Sequence, residues 1–96
     1  MPLTARHSKL IEKALKRTGF VEHTSHHKQY TYYTISGVKS KVKTFISHGK
    51  NDYGDFLLSK IAQQLKLTKA ELLKFVDSEM SRIEYEVILR SKGYID

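Results

Sequence analysis

Lys28-Gln29-Tyr30-Thr31-Tyr32-Tyr33-Thr34-Ile35 is the stretch on which the fold turns. It is rich in aromatic and β-branched residues and has no helical periodicity, so it reads as an extended strand. Downstream, Val42, Thr44 and Ile46 alternate with Lys41, Lys43 and Phe45 through Ser47, the period-two pattern of a half-buried strand. Ser36 and Gly37, with Lys39 and Ser40 close by, supply turn chemistry that folds the second strand back on the first. Upstream, Phe20 to Thr24 is a shorter segment of strand type, completing a three-stranded antiparallel meander. Alternation places Tyr30 and Tyr32 on one face and Tyr33 and Ile35 on the other, leaving one pair toward solvent or a ligand.

Working outward, the flanks read as helices. Leu3, His7, Leu10, Ile11, Ala14, Leu15 and Thr18 recur at helical spacing, with Thr4 as an N-cap and Gly19 as the stop. After a polar loop from His48 to Gly54, Leu57, Leu58, Ile61 and Leu65 form a second apolar stripe, with Asp55 suited to the helix N-terminus. Thr68 with Glu71, and Ser81 with Glu84, have the spacing of capping boxes opening two further helices, and Gly93 is placed as a C-terminal stop. The expected class is α+β, ordered α-β-β-β-α with one or two additional C-terminal helices. Both of the first two helices must cover one sheet face, which leaves the other open. Residues 1–96 make a single domain, its core at about 8–76 and a helical extension at about 77–93.

Composition narrows the function. With 40% hydrophobic residues and one Pro, the 96-residue chain is globular rather than disordered. It contains no cysteine, which excludes disulfides, thiolate zinc sites and a cysteine nucleophile, and suits the cytoplasm. No apolar run is long enough to span a bilayer, and Met1 to Arg17 lacks the apolar block of a signal peptide, so no membrane partner is expected. The net charge is +7, unevenly held: residues 1–50 carry ten Lys and Arg against Glu12 and Glu22, residues 51–96 seven against eight acids. All five histidines and four of the six tyrosines lie in the first 53 residues. A basic half with interleaved rings fits a polyanion, and nucleic acid is the leading partner.

The residues then become more specific. Gly19-Phe20, the segment Thr24-Ser25-His26-His27-Lys28-Gln29-Tyr30, Ser47-His48-Gly49, and a helix leading into Leu65-Lys66-Leu67-Thr68 together resemble the HicA (YcfA-like) toxin family over roughly residues 8 to 76. Thr24 stands where that family usually has Gly. The resemblance implies a fold like the double-stranded RNA-binding domain, an mRNA interferase activity, and a HicB-like antitoxin as protein partner. It puts the family's catalytic histidine on His26, with His27 and Tyr30 at the accompanying positions.

Histidine titrates near neutral pH and can take a proton from a 2′-hydroxyl or give one to a departing 5′-oxygen, so metal-independent RNA cleavage needs no cofactor. On this reading Lys28, Lys41 and Lys43 clamp phosphate and Tyr30 or Tyr32 stacks a base of single-stranded RNA. His27 lies on the opposite side of an extended chain from His26 and serves as an RNA contact or a structural hydrogen-bonder. His48 either approaches the His26 region or caps its own loop, and His7 and His23 read as structural. Zinc is disfavoured, because adjacent histidines in an extended segment diverge and no carboxylate lies close in sequence. Two other functions fit: a non-catalytic RNA-binding module, and a DNA-binding helix-turn-helix built from residues 55–78.

Overall fold

The computed structural model describes residues 5–24, 27–47 and 51–96. In chain order the elements are β1 (Arg6–His7), α1 (Ser8–Arg17), β2 (Phe20–Thr24), β3 (Lys28–Tyr33), β4 (Lys39–Ile46), β5 (Asp52–Tyr53), α2 (Asp55–Leu65), α3 (Lys69–Val76) and α4 (Arg82–Ser91). The fold is α+β, with four helices and a three-stranded antiparallel sheet in the order β2-β3-β4. Gly37, at φ 90°, forms the turn between β3 and β4 in a conformation that disfavours other residues. Along β4 the expected alternation holds, with Val42, Thr44 and Ile46 buried and Lys41, Lys43 and Phe45 exposed.

The first helix starts later than its apolar spacing suggests. Arg6 and His7 pair instead with Tyr53 and Asp52 in a two-stranded ribbon, which satisfies backbone groups that the first turn of a helix would leave open. His7 is the N-cap, its Nδ1 accepting from the Lys9 amide at 3.1 Å, whereas the expected cap Thr4 lies outside the described residues. Part of the expected polar loop is therefore β5. Leu10 and Leu57, expected in the buried stripes, are 48% and 41% exposed, because the inward arc of each helix is filled by Ile11, Ala14 and Leu15, and by Leu58, Ile61 and Leu65. The capping boxes form as expected: Glu71 returns to the Thr68 amide at 2.8 Å, and Glu84 to that of Ser81 at 3.0 Å.

The inner sheet face carries Phe20, Tyr30, Tyr32, Val42, Thr44 and Ile46, all buried against the helices. Tyr30 and Tyr32 are thus the inward pair. Tyr30 sits deep between the sheet and α1, and its hydroxyl donates to Glu12 at 2.5 Å. Burial, reinforced by Glu12, pushes its phenol well above the ordinary range. Tyr32 belongs to a junction of four rings: Phe20 from β2, Tyr32 from β3, Phe75 from α3 and Tyr85 from α4. Their centroids lie 5.1 Å apart for Phe20 and Tyr32, and 5.2 Å for Tyr32 and Tyr85 and for Phe75 and Tyr85. Each such pair adds roughly 0.5–1.5 kcal/mol beyond the area it buries. Tyr85 also donates its hydroxyl to the Leu65 carbonyl at 2.8 Å, fastening α4 to the end of α2.

α4 is therefore part of the single core, with Tyr85 and Leu89 fully buried. Its first residue, Arg82, reaches across the sheet end and donates to the carbonyls of Tyr33 at 2.9 Å and Thr34 at 3.2 Å. The guanidinium has room only because residue 19 is glycine: a Cβ there would stand 2.6 Å from Arg82 Cζ, and Gly19 has φ 95°. Four residues on, Glu86 accepts the Ile35 amide at 3.0 Å. At the opposite end Arg6 grips Asp77 with two bonds of 2.7 Å, holding the Asp77 carboxyl below the usual range.

Gly19→Ala introduces both a disfavoured left-handed residue and a collision, and is expected to lower stability by about 2 kcal/mol or more. In urea denaturation the Gly19→Ala/Arg82→Ala double variant should lose clearly less than the sum of its singles; additive losses would show that the two residues do not interfere. Because the Asp77 pKa is depressed in the folded state, its contribution is present above the ordinary carboxylate pKa and is lost as pH falls through the folded value. Asp77→Asn should accordingly lose less of its melting temperature than the parent between about pH 5 and pH 2.

Candidate nucleic-acid interface

The strand register fixes which side chains share the sheet face that no helix covers. Val21 pairs with Thr31 and Thr31 with Lys43, while His23 pairs with Gln29 and Gln29 with Phe45. This gives two cross-strand rows on one surface, ending on β4 in a lysine and a phenyl ring. Lys41 and Lys43 are exposed and form no ion pair with a described residue. Phe45 and Val21 are each 43% exposed. A lysine row beside an uncovered ring offers phosphate charge neutralisation and a stacking surface within one strand length.

At the end of β4 this surface meets a cavity of about 390 Å³ lined by His27, Phe45, Ser47, Tyr53, Leu57, Lys60 and Gln64. Each wall has a local cause. Tyr53 is held by the short β5 pairing, and its phenolic oxygen accepts the Ser47 amide at 3.0 Å. Lys60 projects from the second turn of α2, its Nζ 5.9 Å from the centre of the Phe56 ring. Phe56 is 78% exposed, a large ring left in solvent beside a cation. His27 is exposed and lies between β2 and β3. The cavity wall thus combines an imidazole, an ammonium group and the accessible phenyl ring of Phe45, a set able to hold a phosphate and seat a base.

The residues expected from sequence separate into four groups. His27 lines the cavity, and Lys41 and Lys43 occupy the open face. His26 and His48 lie outside the described residues. Lys28 is on the opposite, helix-covered side of the sheet, where it donates to Glu12 at 3.2 Å and is not grouped with the other two lysines. Tyr30 and Tyr32 require correction as stacking residues: both are 0% exposed, and neither ring has a face for a base. Helices lie on their side of the sheet, and the inner row needs their bulk.

Phe45, Phe56 and Lys60 were not singled out by the sequence. Phe45 alternates in phase with Lys41 and Lys43, and Phe56 precedes rather than joins the stripe of Leu58, Ile61 and Leu65, so each carries a mark of exposure. Among the described residues, no three His, Asp or Glu lie together so as to hold a metal ion. No helix among them is long and apolar enough to cross a membrane. The chain matches no family model, no curated protein and no solved structure.

Binding of a short single-stranded RNA provides the test of this surface. Lys43→Ala should weaken binding and reduce the slope of log K against log salt by about 0.7, the share of one phosphate contact. Phe45→Ala should weaken binding with the slope unchanged. Tyr30→Phe should leave affinity as it was while costing about 1 kcal/mol or more of stability, because a buried donor to Glu12 is lost.

Proposed function

We propose that this protein is an RNA-directed, metal-independent endoribonuclease of the HicA kind, acting on single-stranded mRNA in the cytoplasm and held in check by a HicB-like antitoxin. The observation that carries the proposal is the uncovered sheet face, where Lys41 and Lys43 stand without an acidic partner among the described residues, next to the accessible ring of Phe45. The α+β class and the three-stranded antiparallel sheet are compatible with the proposed likeness to the double-stranded RNA-binding domain, to which β1, β5, α3 and α4 would be additions. His27, beside the proposed catalytic His26 in the chain, lines the cavity into which this face runs.

In the proposed reaction the 2′-oxygen forms a bond to phosphorus and the bond to the 5′-oxygen breaks, leaving a 2′,3′-cyclic phosphate and a free 5′-hydroxyl. His26 takes the 2′ proton or supplies the one that the departing 5′-oxygen needs, and water exchanges the other. General acid or base action by one histidine contributes about 10² to 10⁴ in rate, so turnover is slow unless cations also stabilise the pentacoordinate phosphorus. Lys43 and Lys60 are the proposed sources of that charge.

The helix-turn-helix alternative draws less support. α2 and α3 do join through three residues, but α3 has only eight, its Lys69 is bonded to Asp55, and it carries Glu71 with Asp77 directly behind it. Lys74 is thus the one cation of α3 without an ion pair among the described residues, a weak hold on a DNA backbone for a recognition helix.

Incubation with single-stranded RNA, structured RNA and duplex DNA, with and without chelator, separates these readings. The expected outcome is cleavage of single-stranded RNA that survives chelation and is abolished by His26→Ala, with the circular dichroism of the variant unchanged. Binding without cleavage would identify a non-catalytic RNA module, and preference for duplex DNA would overturn both RNA readings.

A further inference from the structure

A second, larger cavity, of about 540 Å³, opens between the β3–β4 turn and the C-terminal end of α4. We propose that it is a binding site for a nucleotide, either free or at the end of an RNA strand, with the phosphate held by Lys39, Lys41, Lys66 and Arg90 and the base packed against Tyr94. This site does not depend on the ribonuclease reading.

The charge is one-sided. Those four cations meet one acidic residue, Asp96, in the wall, and none of the four is ion-paired to an acidic side chain among the described residues. Arg90 uses its Nε on the Asp96 main-chain oxygen at 3.0 Å, leaving the two terminal nitrogens of its guanidinium for phosphate oxygens. Like charges gathered in a concave site repel one another, and an anion is what relieves that repulsion. On the turn side Ser36 adds a hydroxyl shared with Thr34 Oγ1 at 2.9 Å, whereas the Ser40 hydroxyl is held by the Tyr32 carbonyl at 2.7 Å and the Val42 amide at 3.1 Å.

The backbone supplies an independent sign. Lys66 ends α2 at φ 64°, in the left-handed region where glycine is ordinarily found. Its ammonium group stands 5.1 Å from the centre of the Tyr94 ring, so the strained position delivers a cation beside an aromatic surface. Tyr94 is 48% exposed and adjoins Ile95 in the cavity wall. A wall with lysine and arginine on one side and ring and aliphatic surface on the other suits a ligand that is itself divided, a phosphate joined to a flat base. The volume falls within the ordinary range of small-molecule sites, about 300–1,000 Å³.

Calorimetric titration of the full chain with adenosine 5′-monophosphate, adenosine, inorganic phosphate and a 5′-phosphorylated tetranucleotide tests the proposal. Adenosine 5′-monophosphate is expected to bind more tightly than either adenosine or inorganic phosphate. Lys66→Gly, which relaxes the backbone while removing the charge, should weaken that binding about tenfold with no fall in melting temperature. Tyr94→Leu should weaken the nucleotide but not inorganic phosphate. Tight binding of the tetranucleotide with none of the free nucleotide would identify a strand end as the source, provided Lys66→Gly weakens it equally. Failure of both at millimolar concentration, or affinity unaltered in Lys66→Gly, would refute the proposal.

Discussion

The guanidinium of Arg82 lies in a place open only because Gly19 lacks a side chain, and from there it donates to the last carbonyls of the central strand. That contact joins the N-terminal half, whose strands and first helix set the sheet, to the C-terminal helices that complete its cover. Around it gather the rings of Phe20, Tyr32, Phe75 and Tyr85, one from each of four elements. Tyr32 Oη and Arg82 Nε are both buried there without a hydrogen-bond partner among the described residues. The junction therefore depends on the two carbonyl bonds and on ring packing. An orphaned buried polar atom costs about 1–3 kcal/mol, and the burial of four large aromatic side chains, at roughly 1.5–3 kcal/mol each, outweighs it.

This arrangement also sorts the charge. Five acids of the C-terminal half are occupied within the protein: Asp55 by Lys69, Glu71 by its capping box and Lys92, Asp77 by Arg6, Glu84 by its capping box, and Glu86 by a backbone amide. In the N-terminal half, Glu12 and Glu22 both serve the buried Tyr30 hydroxyl and are answered by Lys28 and Lys16. The lysines of β4 are left with no such partner. Three cations without an ion pair among the described residues thus stand along one edge strand, with a cavity at each of its ends.

Much of the fold was legible in the sequence because it rests on local periodicity. The alternation in β4, the two capping boxes and the glycine turn between β3 and β4 are each set by residues within a few positions of one another. What escaped depends on distant partners. Nothing near Arg6 and His7 announces that they will pair with Asp52 and Tyr53 rather than begin a helix, and nothing near Arg82 points to Gly19. The same limit applied to the candidate site. Alternation separated the tyrosines correctly into two faces but contains no information on which face the helices cover, so Tyr30 and Tyr32 were assigned to a ligand when they belong to the interior. Lys28 was grouped with Lys41 and Lys43 by charge, whereas the register turns it toward α1.

The protein contains no tryptophan, and its six tyrosines divide between two environments. Tyr30, Tyr32, Tyr53 and Tyr85 are held inside, two of them edge to face at 5.2 Å, while Tyr33 is only half-buried and Tyr94 is exposed. Rings fixed in an asymmetric surrounding give near-ultraviolet ellipticity, and freely turning ones give almost none. The interior thus has a spectroscopic signature of its own, sensitive to the seam between sheet and C-terminal helices and free of interference from indole absorption.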